Sequence, residues 1–241
     1  VYDHINSDFG QNNNLNIAGR LYFLFYDTDI DVMFMTGPSR PDRYGFDFSR
    51  NLTTNFEIHG EYAWVRNTRK TVLNTAGASE VIEGEAHSFL VGMRYLTSFD
   101  LTAIIEFYHN SAGFNREEMK YFYSLVSRGF DAYQITGDWT GLSRAMNLAE
   151  SGYARQNAMR NYLYVRLSQK EPFDILYFTP SLTCMINTDD LSANIMPEIL
   201  YTGITNLELR LRAGIITGSG DSEFGEKQND YRIELRAGYY F

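Results

Sequence analysis

The residues best suited to move protons or hold metals are few: His4, His59, His87, His109 and the single cysteine, Cys184. His59 lies between Glu57 and Glu61, and residues two apart share one face of a strand. Three such side chains suit acid–base work or metal ligation. His109 and Ser111 have the same spacing, that of a nucleophile and its base. Neither set names a third, orienting group, and no G-x-S-x-G, H-E-x-x-H, P-loop or EF-hand pattern occurs. The plainer reading makes these polar residues the lining of one strand face. One cysteine allows no internal disulfide framework and no Cys-based zinc or haem attachment. The expectation is a protein without catalytic residues, metal or cofactor, and not an enzyme; a hydrolase is the least favoured class.

Charge narrows the partners. With 21 basic and 30 acidic residues the net charge is −9, which argues against nucleic acid, since a sequence-independent binder needs a basic face. No apolar run reaches the length of a membrane-spanning helix. Val1-Tyr2-Asp3-His4 has neither the basic nor the apolar region of a signal peptide. Mean hydropathy is −0.32, as expected where only alternate residues are apolar.

That alternation is the dominant signal. In Asp230–Phe241, Tyr231, Ile233, Leu235, Ala237, Tyr239 and Phe241 share one face, and Arg232, Glu234, Arg236, Gly238 and Tyr240 the other. Leu207–Thr217 sets Leu207, Leu209, Leu211, Ala213 and Ile215 against Glu208, Arg210 and Arg212. Similar segments start at Leu15, Asp29, Arg43, Phe56, Ser88, Leu101, Tyr162, Leu176 and Asn194, which makes eleven strands. Strict period two over about 9–11 residues suits a tilted strand that crosses a membrane. Short connections fall near Asp27-Thr28, Arg50–Thr54, Thr97–Asp100, Ser168–Phe173 and Thr202–Asn206. Longer ones fall at Asn67–Gly84, Asn110–Arg160 and Gly218–Asn229. Pro180 and Pro197 each remove a ladder donor and predict local bulges or less regular strands. The expected fold is all-β: one domain over 1–241, a transmembrane antiparallel up-and-down β-barrel. A partly helical loop at 110–159 interrupts it, folding inward or lying outside the cell.

The terminal strand, alternating and ending in Tyr239, Tyr240 and Phe241, resembles the C-terminal signature of bacterial outer-membrane barrels. Alternation and turn asymmetry extend that resemblance over nearly the whole chain, and the likeness in kind is to porins. It implies the outer membrane of a Gram-negative cell as location, with Tyr239 and Phe241 as the assembly signal. The partners it implies are membrane lipid, lipopolysaccharide and the barrel-assembly machinery. Such barrels carry an even number of strands, so eleven predicts a C-terminal portion of a longer barrel, a degenerate strand in residues 1–12, or, less favoured, a missed strand within the 110–159 connection. A soluble sandwich or lipocalin-like barrel is the rival fold. Against it stand aromatics at strand ends: Tyr26, Tyr44, Tyr62, Trp64, Tyr95, Tyr201 and Tyr239 suit interfacial girdles.

With apolar faces toward lipid, the other faces line the interior. The basic set is Arg20, Arg94, Arg166, Arg210, Arg212, Arg232 and Arg236; the acidic set is Asp29, Asp31, Asp47, Glu57, Glu61, Glu106, Glu198, Glu208 and Glu234. Acidic residues dominate early strands and arginines late ones, so the two walls would place a field across a water-filled pore. Pairs such as Arg210–Glu234 would instead neutralise each other in a closed interior. The function expected is passive diffusion of small hydrophilic solutes or ions, by a channel that self-associates. The alternative is a sleeve around a secreted or electron-carrying protein held in the lumen. In the long loop, Asn115 and Glu118 form a capping box. Met119, Phe122, Tyr123 and Val126 then share a face, Gly129 ends the helix, and a second helix covers Leu142–Glu150.

Overall fold

The computed structural model describes residues 2–3, 14–75 and 77–241. Two short strands, β1 (Tyr2–Asp3) and β2 (Asn14–Leu15), pair with each other. Then follow β3 (Ile17–Phe25), β4 (Thr28–Thr36), β5 (Arg43–Thr53), β6 (Phe56–Leu73), β7 (Ser79–Leu96) and β8 (Leu101–Asn110). After the helices α1 (Arg116–Thr136) and α2 (Thr140–Leu148) come β9 (Asn161–Gln169), β10 (Phe178–Asn187), β11 (Ala193–Ile204), β12 (Leu207–Thr217) and β13 (Tyr231–Tyr239). β3 to β13 form one eleven-stranded sheet in sequence order. It is an antiparallel up-and-down arrangement, and among the described residues β13 and β3 are not paired, so the sheet is not closed. The proposed strand in residues 1–12 falls almost wholly outside the described residues; only Tyr2–Asp3 is seen in a ladder.

Register carries the alternation from strand to strand, because directly opposed residues share a face. Leu21, Val32 and Phe46 form one apolar row, and Phe23, Ile30 and Phe48 the next. Further along the chain, Pro180, Ile199, Leu211 and Leu235 form another. Of the two expectations at the prolines, bulges do not occur, since the β10–β11 register runs unbroken through Pro180–Ile199 and Leu182–Pro197, but the neighbouring ladders are less regular. The β9–β10 ladder begins at Ser181, just past Pro180, and the β11–β12 ladder skips Met196 and Pro197. Each proline thus sits where a ladder pauses, so no donor is missed. The bulge of β11 lies instead between Tyr201 and Ile204. Tyr26 and Asp27 both have positive φ, 47° and 55°, as the two-residue hairpin turn between β3 and β4 requires.

Two strands outgrow their expected length. The segment 67–84, expected as a loop, continues β6 and β7, each 18 residues long, leaving a connection of 74–78. As strands they pair charges across, Arg69 with Glu83 at 2.9 Å, next to Arg66 with Glu85 at 3.8 Å. Conversely Leu176 precedes β10, which starts at Phe178, and β13 ends at Tyr239, before Phe241.

The chain divides into two compact units: Val1–Arg50, His59–Leu90 and His109–Arg160 form one, and Asn51–Ile58, Val91–Tyr108 and Asn161–Phe241 the other. The first contains the helical insertion. Its capping box is present as expected: Asn115 Oδ1 accepts from Glu118 N at 2.8 Å, and Glu118 Oε2 accepts from Asn115 N at 2.8 Å. The helix does not stop at Gly129, however. It runs to Thr136 and ends on Gly137, whose φ of 72° is the left-handed cap. α2 starts at Thr140, and a single π-type turn, Ala149–Tyr153, carries the chain out at Gly152 with φ 142°. Gly129 serves contact rather than termination: a Cβ there would meet the Gly141 carbonyl carbon at 2.9 Å, and one on Gly141 would meet Gly129 Cα at 2.8 Å. The two helices therefore cross backbone to backbone. Gly129→Ala is expected to loosen this crossing by about 1–3 kcal/mol, as overpacking does. Faster hydrogen exchange in 116–148, with the strand amides unchanged, is the readout.

Candidate functional site

The sheet is inverted relative to a soluble one, in which apolar side chains are buried and polar ones face water. In the first unit Leu21, Phe23, Val32, Phe34 and Phe46 are all exposed, while Asp31 on the opposite face keeps 5% of its surface. In the second unit Leu182, Ile199, Leu211, Ile233 and Leu235 are exposed, the last at 76%, while Thr183 keeps 7%. Asp31 and Thr183 are thus buried on the polar side, although Arg20, Asp29 and Glu61 on that side are exposed.

In the first unit this side carries Arg20, Asp29, Asp31, Asp47 and Glu61. Arg20 grips Asp31 with both arms, Nε to Oδ1 and Nη2 to Oδ2, each at 2.6 Å. Asp47 stands directly opposite Asp31, and Asp29 accepts the hydroxyl of Tyr22. In the second unit Glu57 meets Arg94 at 3.7 Å, and Glu106 is half-buried on β8. A cross-strand row runs Ser168, Ser181, Glu198, Arg212, Glu234. The expected Arg210–Glu234 pair is not made, because register sets Arg210 opposite Arg236 and Arg212 opposite Glu234. Arg210 turns instead to Glu208 at 3.1 Å and Glu198 at 3.9 Å, and Arg212 Nε donates to Glu198 at 2.7 Å. Glu234 pairs with Arg232 on its own strand at 2.8 Å. Among the described residues no carboxylate pairs with Arg166 or Arg236.

The apolar face has aromatic margins. In the first unit Tyr44 lies 5.3 Å from Trp64, and the Trp64 and His87 rings are parallel within 5° at 6.2 Å. The Tyr62 hydroxyl and His87 Nδ1 are 2.7 Å apart, and Trp64 Nε1 donates to Glu85 at 3.0 Å. Past this cluster β6 and β7 turn charged, starting with Arg66 stacked over Trp64 at 5.7 Å. In the second unit Phe56 meets Tyr95, and Tyr239 meets Phe241, each pair at 6.2 Å. Tyr26 and Tyr95 lie at strand ends as expected, whereas Tyr201 lies three residues inside β11, and Tyr62 and Trp64 lie inside β6, which runs on to Leu73.

The candidate catalytic residues are otherwise engaged. Ser111 Oγ accepts the His87 N–H at 2.8 Å, and the His109 ring stacks on Phe89 at 5.2 Å. His59 is half-buried on β6 beside Glu57 and Glu61, while His4 falls outside the described residues. Among the described residues no cluster of His, Cys, Asp and Glu has metal-binding geometry.

The densest packing in the first unit lies under the helical insertion, and its key residues were not foreseen. Tyr153 sits between Phe114, 3.8 Å away, and Phe122, 4.7 Å away, in a three-ring stack. Its hydroxyl accepts the Leu73 N–H at 3.0 Å, tying the insertion to the end of β6. Lys70 Nζ reaches Glu118 at 2.7 Å and the Gly113 carbonyl at 2.8 Å, and lies 4.5 Å over the Phe114 ring. In the second unit the connection 218–230 is latched by buried Glu223, which accepts from Tyr162 Oη at 2.6 Å and Asn187 Nδ2 at 2.8 Å. Lone aromatics and carboxylates in long loops carry no periodic signal, so sequence spacing could not single them out.

No protein-family model matches the chain, and no curated protein matches it at a significant level.

Burial pushes the Tyr153 phenol up to about 12 from its ordinary 10.0, against the Leu73 hydrogen bond, which pulls it down. The folded state then holds its proton more tightly than the unfolded chain. Stability of the insertion is therefore flat below pH 10 and falls as pH rises toward 12. Tyr153→Phe should remove that fall while costing about 1 kcal/mol at neutral pH for the lost hydrogen bond. Near-UV circular dichroism against pH compares the two proteins.

Proposed function

We propose that this chain forms a porin-like barrel of the bacterial outer membrane, a channel for passive diffusion of small hydrophilic solutes or ions. The observation that carries the reading is the run of exposed apolar side chains at alternate strand positions within each unit, such as Leu21, Phe23, Val32 and Phe46 in one and Ile199, Leu211, Ile233 and Leu235 in the other. Large exposed apolar surfaces call for a cover, and a hydrocarbon phase covers alternate residues of every strand at once. The aromatic margins fit that cover. Along β7, eight residues separate His87 from Tyr95, which at about 3.4 Å each and a tilt of about 40° gives roughly 20 Å of height. The apolar belt of such barrels is about 25 Å tall. In this reading the short connections face the periplasm, and the insertion, on the side of the long connections, caps the entrance. Partners would be lipid and lipopolysaccharide, with Tyr239 and Phe241 presented to the assembly machinery.

A closed interior is the second reading, favoured by Glu198, which is shared by Arg210 and Arg212. The two separate in a planar bilayer. Full-length protein reconstituted at low density should give discrete conductance steps that scale with salt. A folded but silent protein contradicts the channel, and a co-purified protein in its place points to the sleeve. Arg210→Glu with Arg212→Glu should move the reversal potential in a salt gradient toward cation selectivity, because charged rings at close quarters set ion preference. An unchanged potential removes these arginines from the pore.

A further inference from the structure

Beyond the channel, the helical insertion contains a cleft of about 350 Å³, between the tip of the β6–β7 hairpin and the two helices. Arg128 from α1 and Arg144 from α2 both line it, with Leu73, Leu125 and Tyr121 among the walls. Its volume falls at the lower end of the range for small-molecule sites. The Gly129–Gly141 crossing borders it, so bare backbone leaves room where side chains would fill.

The two guanidiniums are only partly occupied. Arg144 Nη2 donates to the Gly77 carbonyl and to Ser79 Oγ, and Arg128 Nε donates to the Ser124 carbonyl at 3.2 Å. Among the described residues neither has a carboxylate partner. The one acidic residue at the cleft, Asp138, is turned to Thr140, accepting its N–H at 3.0 Å and its hydroxyl at 2.7 Å. Its charge remains, but two arginines against one aspartate leave the cleft net positive. Spare guanidinium donors beside apolar walls match an anion attached to a hydrophobic body, with the planar fork suited to a carboxylate.

We propose that this cleft binds a small organic carboxylate, its anionic group held by Arg128 and Arg144 and its apolar body against Leu73, Leu125 and Tyr121. The assignment stands apart from the channel: a silent barrel that binds loses only the channel, and a conducting one that does not bind loses only this site.

Benzoate is the probe, titrated calorimetrically into the full chain in detergent, with buffer-matched micelles as reference and benzamide as the uncharged shape match. The expected result is saturable 1:1 binding at about 1 mM, in keeping with a ligand of this size. Benzamide on the wild-type protein should bind at least tenfold more weakly, a comparison that needs no variant. Arg128→Gln should weaken benzoate at least tenfold while far-UV circular dichroism is unchanged, and Arg128→Lys should recover part of the loss. Equal affinity for benzoate and benzamide, no saturation up to about 50 mM, or full affinity in a folded Arg128→Gln protein overturns the proposal.

Discussion

A β-strand must point neighbouring side chains to opposite faces, and register carries that division across every neighbour. In this chain the division turns buried Asp31 away from exposed Val32, and buried Thr183 away from exposed Leu182. A one-residue slip anywhere would exchange the two faces, so the pairing of Leu21 with Val32, or Leu211 with Leu235, is what keeps arginines off the apolar side. Once the charges share one face they must satisfy one another. The two-armed Arg20–Asp31 pair and the shared carboxylate of Glu198 do so within their own parts of the sheet. An isolated sheet of this kind has no hydrophobic core to hold it in water, and the lipid cover proposed above supplies the missing half.

Apolar packing of the ordinary kind is found instead under the helical insertion. Phe114, Met119, Phe122, Tyr153 and Met159 are buried there, at one end of β6 and β7. The capping box holds the start of α1, and Glu118 uses the same carboxylate oxygen for Lys70, so the helix end and the strand extension are fixed by one group. Long strands, a charged hairpin and a packed insertion are joined by these contacts into one packed superstructure.

Period two made the sheet legible. Eleven strands and their order follow from where Leu, Ile, Val, Phe and Tyr alternate with polar residues, and Leu207–Thr217 has its observed bounds in the sequence alone. The capping box of α1 was legible because it is a local chemical pattern, Asn115 and Glu118 three apart. What failed was the placing of some element ends. Arg69 and Glu83 fell in the expected loop Asn67–Gly84, but strand pairing accepts charges when they meet their opposites. Gly129 read as a helix stop, because a glycine required by a contact far along the chain looks the same as one required by a turn. The ion-pair partners of Arg210 depended on register, which alternation alone leaves open by two residues. Tyr153, Lys70 and Glu223 act through long-range contacts and have no local signature.

The central claim is that the exposed apolar face lies in hydrocarbon, and tryptophan quenching tests it most directly. Val91, half exposed on β7 midway between His87 and Tyr95, would become the reporter as Val91→Trp in a background with Trp64→Phe and Trp139→Phe. In proteoliposomes with lipids brominated at graded depths along the acyl chain, its fluorescence should be quenched most by bromines near the bilayer centre. Native Trp64, kept alone in a Trp139→Phe protein, should respond most to shallow bromines. Water-like emission at position 91 with no depth dependence would contradict the account.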